Sequence, residues 1–201
     1  MPSRLLALIA PPLCAVCGKD CDSDPVCGDC AGAIARARPQ PFWAPGLDRA
    51  LAAAPYEGAA RALIAALKFG GRLALADVAA AAIESRLEPF VTGTLVPVPA
   101  DPWRRRLRGF DSAALIAESL ARRLDRPVSH CLSRAHAPRQ VGRPRSQRIG
   151  APPATCACAP VPPKAILVDD VATTGATLAG CARALRHGGS AEVLALTFAR
   201  A

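Results

Sequence analysis

The stretch "ILVDDVATTGAT", residues 166–177, joins an apolar strand to an acidic pair and a threonine-rich turn. Three aliphatic residues precede Asp169 and Asp170, and the turn leads into an apolar-periodic helix predicted at 175–188. A strand, a turn and a helix in this order form the unit of a parallel sheet, in which ligands bind beyond the carboxyl ends of the strands. The sequence therefore predicts that both aspartates lie at the ligand-binding edge of a sheet.

The turn after the aspartates is typical of a phosphate-binding loop. Its amides and hydroxyls lie near the positive end of a helix dipole, and a glycine lets the backbone approach a ligand closely. The predicted loop comprises Thr173, Thr174, Gly175, Ala176 and Thr177. Two carboxylates would repel a phosphate unless they held sugar hydroxyls or a divalent cation, so a phosphorylated ribose with magnesium fits the pattern. The alternative is a capped, buried strand that carries two aspartates by chance.

The rest of the chain alternates short apolar runs with helical stretches. Predicted strands lie at 49–56, 94–99, 164–170 and 191–199, and predicted helices at 58–69, 73–90, 111–124 and 175–188. Asp111 and Ser112 are possible caps for the third helix. The alternation predicts an α/β fold with a mostly parallel sheet covered by helices on both faces.

Four of the nine cysteines have the spacing of a zinc site. "CAVC" and "CGDC" place two C-x2-C turns nine residues apart, which predicts tetrahedral structural zinc held by Cys14, Cys17, Cys27 and Cys30. Cys21 could substitute as a ligand, whereas Cys131, Cys156, Cys158 and Cys181 fit no ligand spacing. The stretch 37–46 is rich in proline and glycine and is interpreted as a linker. The predicted domains are a zinc module with its linker at 1–44 and a larger domain at 45–201.

Charge is concentrated in one quarter of the chain. Twelve arginines and four acidic residues lie between 101 and 150, so this segment carries +8 of the net charge of +9. Such clustering predicts an anion-binding surface. No apolar run approaches the length of about 20 residues that a membrane helix needs, so we expect a cytoplasmic protein without membrane insertion.

The acidic pair and the TTG turn are similar to the phosphoribosyl pyrophosphate signature of type I phosphoribosyltransferases. Further motifs narrow this resemblance to the ComF family, also called amidophosphoribosyltransferase-like proteins. They are the four cysteines, "YEG" at 56–58, "ALKF" at 66–69, "VPVP" at 96–99, "RGF" at 108–110 and "PRQ" at 138–140. The resemblance covers nearly the whole chain. It implies a zinc finger joined to a phosphoribosyltransferase-like domain and a role with incoming DNA in natural transformation.

The resemblance also implies roles for particular residues. Asp169 and Asp170 would be the catalytic pair that contacts the ribose, with magnesium bound chiefly through substrate oxygens. On the pyrophosphate side the candidates are Ala100, Arg104, Arg105 and Arg108, although "RRR" at 104–106 could equally be a solvated turn. The stretch 134–148 resembles the loop that covers the substrate in related enzymes, with Arg139, Arg145 and Arg148 as candidates to close over phosphates; the alternative is an exposed loop.

The sequence departs from the family pattern in three places. Asp111 and Ser112 stand where the family commonly has Asn-Gln after "RGF", and Arg143 and Pro144 stand where it usually has leucine and serine. The proline-rich segment 151–163 is expected to lack the family's short apolar strand. These departures concern the acceptor side and leave the predicted phosphate loop intact.

Two functional hypotheses follow. In one, the protein binds phosphoribosyl pyrophosphate, or a related ribose 5-phosphate ligand, and supports DNA uptake by handling single-stranded DNA. In the other, it is an active phosphoribosyltransferase that transfers phosphoribose to a base or amine in nucleotide salvage or synthesis, with an unknown acceptor. A competence helicase is a further partner that the resemblance implies.

Overall fold

The computed structural model describes residues 13–21, 25–87, 91–134 and 155–201. In chain order the helices are α1 (Gly28–Arg36), α2 (Gly58–Gly70), α3 (Leu75–Glu84), α4 (Pro102–Arg108), α5 (Ser112–Leu124) and α6 (Ala176–His187). The strands are β1 (Gln40–Phe42), β2 (Arg49–Pro55), β3 (Thr94–Pro97), β4 (Leu132–Arg134), β5 (Thr155–Ala157), β6 (Lys164–Ala172) and β7 (Glu192–Arg200).

The main sheet has the strand order β1-β2-β7-β6-β3. β2, β7, β6 and β3 pair in parallel, and β1 joins the edge of β2 antiparallel. Parallel pairing places the carboxyl ends of β2, β3 and β6 at one edge of the sheet. The predicted α/β fold with a mostly parallel sheet is confirmed.

Two apolar cores cover the two faces of this sheet. Leu63, Ile116 and Val168 belong to the core formed with α2, α3 and α5, whereas Leu167 and Leu178 belong to the core formed with α6. Burial on both faces explains why β6 begins with a continuous aliphatic run. The two aspartates follow this aliphatic run within β6.

The N-terminal segment packs against the main domain. Cys14, Val26 and Ile34 share the core of α2, α3 and α5. The Arg86 guanidinium donates hydrogen bonds to the carbonyls of Ala35 and Ala37, the latter at 2.9 Å. These contacts tie the end of α1 to the turn after α3.

Five short elements escaped the sequence prediction, namely α1, β1, β4, β5 and α4. Three of these, β1, β5 and α4, correct an interpretation made from the sequence. β1 lies within the stretch 37–46 interpreted as a linker and brings residues 40–42 into the sheet. The domain boundary at residue 44 stays a prediction. β5 lies in the segment expected to lack a strand, and it pairs antiparallel with β4. β1 and β5 have three residues each, which is too short for an apolar periodicity to be recognised in the sequence.

The last of these three elements, α4, is stabilised at its ends. The Asp101 carboxylate accepts hydrogen bonds from the amides of Trp103 and Arg104, Pro102 begins the helix, and Gly109 ends it in the left-handed conformation. No residue of α4 is buried, so the helix has no apolar face that the sequence could reveal. The arginines at 104–106 therefore lie on a capped helix rather than in a turn.

The predicted helix at 73–90 is shorter in the structure. α3 covers Leu75–Glu84, and residues 88–90 lie outside the described part of the chain. None of the helices within the described ranges is long and apolar enough to cross a membrane.

Candidate functional site

A pocket of about 360 Å³ opens at the carboxyl ends of β2, β3 and β6. Tyr56 follows β2, Pro99 and Ala100 follow β3, and Asp169 and Asp170 lie near the end of β6; all five line the pocket. The volume falls in the range of about 300–1,000 Å³ that is typical of small-molecule sites. The pocket thus lies at the edge where the sequence predicted a ligand.

The two aspartates face opposite sides of the sheet, because successive strand residues alternate. Ile166 and Val168 pack in the core of α2, α3 and α5, so the same alternation directs Asp170 to that side. Asp169 lies on the side of α6, where it contributes, after burial, to raising the pKa of the Cys181 thiol to about 12. The acidic pair therefore presents its two carboxylates to different surroundings.

Asp170 is buried and bound by two side chains. Its Oδ1 accepts a hydrogen bond from Lys68 Nζ at 2.6 Å, and its Oδ2 accepts one from the Ser112 hydroxyl. Only 5% of Asp170 is exposed, so an unpaired carboxylate here would carry a large desolvation cost. Lys68 supplies the compensating charge.

Asp169 has a raised pKa. Burial is the main cause, and the negative charge of Asp170 adds to it. The Asp170 amide donates to Asp169 Oδ1 at 2.8 Å and lowers the pKa in part. The carboxyl group of Asp169 therefore holds its proton to higher pH than an exposed aspartate.

Replacing Asp169 with asparagine should raise the melting temperature Tm at about pH 8 and flatten the pH dependence of stability. With a raised folded pKa, the folded state keeps more protons than the unfolded state as pH rises above the ordinary aspartate value of about 3.9. Stability therefore falls with rising pH until the folded pKa is passed, and the asparagine variant escapes this loss. Each kcal/mol recovered raises Tm by about 2–4 °C at this chain length.

Thermal melts of both proteins from about pH 4 to pH 8 measure this effect. Parallel Tm curves for the variant and the wild type would show that Asp169 ionises without cost to the fold.

The threonine loop divides into residues that line the pocket and residues that shape it. Thr173 and Thr177 line the pocket. Thr174 Oγ1 accepts a weak hydrogen bond from the Ala176 amide at 3.4 Å, at the start of α6. Gly175 has a φ of +76°, and a Cβ there would lie 3.0 Å from Ala44 Cβ. Glycine is thus required at 175 by both conformation and space.

The loop after β3 forms the opposite wall. Ala100, Arg104 and Arg108 line the pocket, whereas Arg105 is exposed and not among the lining residues that the structure describes. The Ala100 amide donates to Asp111 Oδ2 at 3.0 Å, so this amide is already hydrogen-bonded. Asp111 Oδ1 accepts from the amides at the start of α5, as its predicted capping role requires.

Sequence reasoning missed several polar residues that line the pocket. Lys68 and Ser112 contact Asp170, and Arg134 donates to Thr177 Oγ1 at 3.3 Å. Lys68 lies inside the quoted "ALKF" motif, but a single lysine on a helix carries no signal of its own. Arg134 reaches the pocket because β4 pairs with β5, a contact that the sequence did not predict. Arg139, Arg145 and Arg148, proposed to close over phosphates, lie outside the described residues.

The predicted zinc ligands meet at one point. The Sγ atoms of Cys14, Cys17, Cys27 and Cys30 all lie within 4.8 Å of one another. The amides of Val16 and Cys27 point at Cys14 Sγ, at 3.4 and 3.3 Å. Burial opposes ionisation of Cys14, yet the backbone donors lower its pKa to about 6. Four converging sulfurs, with backbone donors that favour the thiolate at Cys14, are compatible with structural zinc.

The other cysteines lie outside this cluster. Cys21 is buried in the same core but is not part of the four-sulfur group. Cys131 and Cys181 are buried in the core formed with α6, to which Cys181 itself belongs, and Cys156 and Cys158 are exposed. The structure thus selects the four residues of the two C-x2-C turns.

An exposed basic and aromatic surface lies beside the pocket mouth. The side chains of Phe69, Trp103 and Leu107 are 79%, 69% and 73% exposed. The Arg108 guanidinium lies over the Phe69 ring, 5.2 Å from its centre. We call this surface the α4 lip, defined as Phe69 together with residues 103–108. Arg104 and Arg108 belong to both the lip and the pocket wall.

Comparison with known proteins finds a curated relative that matches most of the chain. No family model matches. The chain is 29% identical over 197 residues to "Competence protein ComFC" of Bacillus subtilis (strain 168), a match that covers 94% of this chain and 78% of that protein.

Proposed function

We propose that this chain, which is similar to a competence protein over 94% of its length, is a member of the ComF family and binds phosphoribosyl pyrophosphate with magnesium in support of DNA uptake. A related ribose 5-phosphate ligand would meet the same groups. The observation that carries the proposal is the acidic pair, which lies beside a threonine loop at the carboxyl edge of the sheet.

Different residues of the pocket would bind the different parts of such a ligand. Thr173, Thr177 and the first turn of α6 would hold the 5′-phosphate, since helix N-termini present unpaired amides to anions. Asp169 and Asp170 would accept hydrogen bonds from the ribose hydroxyls. The pocket thus offers donors to the phosphate and acceptors to the sugar.

The diphosphate would lie toward Arg104 and Arg108 on the wall after β3. Among the described residues, four basic and four acidic side chains line the pocket, so protein charge alone does not balance a polyphosphate. Magnesium fits this arrangement, because carboxylate and phosphate oxygens are its preferred ligands, and it would supply the missing positive charge. Asp169 and Asp170 would be the protein groups that contact it.

A ligand-induced stability shift tests the proposal. At a concentration about 100-fold above Kd, a ligand specific for the folded state stabilises it by about 2.7 kcal/mol. We expect ribose 5-phosphate to raise Tm and phosphoribosyl pyrophosphate to raise it further. The larger shift should require magnesium. Pyrophosphate with magnesium is the matched control, since it lacks the sugar. An equal shift with pyrophosphate alone would mean that the acidic pair contributes no sugar recognition.

The transferase hypothesis stays a prediction. An oxocarbenium-like transition state would need the sugar held in place and the leaving diphosphate neutralised, and the proposed ligand groups could do both. A separate assay, which follows release of pyrophosphate with bases and amines added, would test for turnover and identify the acceptor.

The α4 lip supports a second binding role. Arginines with exposed aromatic side chains are the features by which proteins hold single-stranded nucleic acid, phosphates on the cations and bases on the rings. Trp103 and Phe69 supply rings, and Arg105 and Arg106 are exposed beside them. We propose that the α4 lip contacts single-stranded DNA.

Binding of single-stranded DNA should weaken steeply with salt, because each neutralised phosphate releases counterions. Replacing Trp103 with alanine should weaken binding about tenfold at every salt concentration without changing the slope. Replacing Arg106 with alanine should instead reduce the magnitude of the negative slope of log K against log[salt] by about 0.7. Fluorescence titrations of an oligothymidylate between about 50 and 200 mM salt measure both effects. A flat salt dependence, or wild-type affinity in both variants, would show that the α4 lip does not bind DNA.

A further inference from the structure

Both oxygens of Asp170 are held by side chains from two different helices. Lys68 on α2 donates to Oδ1 at 2.6 Å, and the Ser112 hydroxyl at the start of α5 donates to Oδ2. The Lys68 side chain is 20% exposed and that of Asp170 is 8% exposed. The ion pair between Lys68 and Asp170 lies in the pocket wall, where solvent screens the interaction only partly.

These contacts depend on the fold. Lys68 and Ser112 lie 102 and 58 residues before Asp170 in the chain. Asp111 fixes Ser112 by capping α5, and its second oxygen accepts the amide of Ala100. The two departures from the family pattern, Asp111 and Ser112, thus join the loop after β3 to the acidic pair.

A carboxylate keeps acceptor capacity after it accepts one hydrogen bond at each oxygen, since each oxygen has two lone pairs. A buried carboxylate without a cation would either lose its charge or turn toward water. With Lys68 and Ser112 in place, Asp170 has a positive partner and is held in one orientation in the pocket wall. It can then accept a hydroxyl group of a ligand without reorganisation.

We propose that Lys68 and Ser112 are positioning residues that hold Asp170 ready for a sugar hydroxyl of the ligand. The proposal rests on the proposed function, because it assigns these residues to the binding of a phosphorylated ribose. Neither residue was predicted as part of the site, and each acts through Asp170 rather than through its own contact with the ligand.

A double-mutant cycle tests this assignment, with phosphoribosyl pyrophosphate and magnesium as the probe. Calorimetric affinities are measured for wild type, Lys68→Met, Asp170→Asn and the double variant, each first shown to be folded by its melting transition. We expect Lys68→Met to weaken binding about tenfold in the wild-type background and to add nothing to Asp170→Asn. Lys68→Arg should restore affinity to within about threefold, because arginine also pairs with a carboxylate.

Ser112→Ala provides the same test without removing a charge. It replaces Lys68→Met in the cycle if that variant does not fold. It should weaken binding about threefold alone and leave the affinity of Asp170→Asn unchanged.

Three results would overturn the proposal. Equal weakening by Lys68→Met in both backgrounds would make Lys68 a direct ligand of a phosphate. Wild-type affinity in Asp170→Asn would show that Asp170 does not meet the ligand, while the proposed function would stand on the wild-type binding. No binding by the wild type would overturn the proposed function and this assignment together.

Discussion

Replacing Cys14 with serine releases zinc and destabilises the N-terminal module. Cys14 is 2% exposed and accepts amide hydrogen bonds at its sulfur, so it has the surroundings of a thiolate ligand. Binding of structural zinc contributes about 10–16 kcal/mol in zinc-finger peptides, and in such modules this free energy is folding free energy. Loss of one of four ligands removes much of it.

The effect should extend beyond the module. Cys14, Val26 and Ile34 pack in the same core as α2, so release of the module exposes that part of the core. We expect a lower Tm of the protein and faster proteolytic cleavage of the N-terminal module. Elemental analysis, with Cys158→Ser as the matched control, measures the zinc; Cys158 is exposed and lies outside the cluster. Unchanged zinc content in Cys14→Ser would refute the four-cysteine assignment.

Replacing both Asp169 and Asp170 with asparagine should abolish magnesium-dependent ligand binding while leaving the protein folded. A hydrogen bond to a charged group contributes about 1.5–3 kcal/mol, so loss of two corresponds to a weakening of about 10² to 10⁴-fold. Loss of both carboxylates also removes the proposed protein contacts to magnesium.

The fold should survive this change because two effects on stability oppose each other. Asp170→Asn leaves Lys68 without its ion-pair partner, but the lysine side chain is 20% exposed and reaches solvent. Asp169→Asn removes a carboxyl group whose burial raises its pKa, so it relieves a cost at neutral pH. Asp125→Asn is the matched control, because Asp125 is exposed at the end of α5 in the left-handed conformation that asparagine accepts well.

The sheet and its longer helices could be predicted because their apolar periodicity is a local property of the sequence. β6 and α6 follow from the aliphatic run and the helical spacing around Gly175, and their order fixes the edge at which Asp169 and Asp170 lie. α4 could not be predicted in this way, since its stability comes from caps and it buries no residue.

The side-chain partners of the acidic pair and of Thr177 could not be predicted from the sequence, for a different reason. Lys68 and Ser112 reach Asp170 across large sequence separations, through packing of α2 and α5 on one face of the sheet. Arg134 reaches Thr177 through the pairing of β4 with β5. Side chains with no motif of their own acquire their roles only when the fold brings them together.

The most direct test of the proposed function is calorimetric titration of the zinc-loaded protein with phosphoribosyl pyrophosphate and magnesium, beside the Asp169→Asn/Asp170→Asn variant. Saturable binding that requires magnesium and is lost in the folded double variant is the predicted result. Absence of binding by the folded wild-type protein, or equal affinity in the double variant, would contradict a sugar-phosphate site built on the acidic pair.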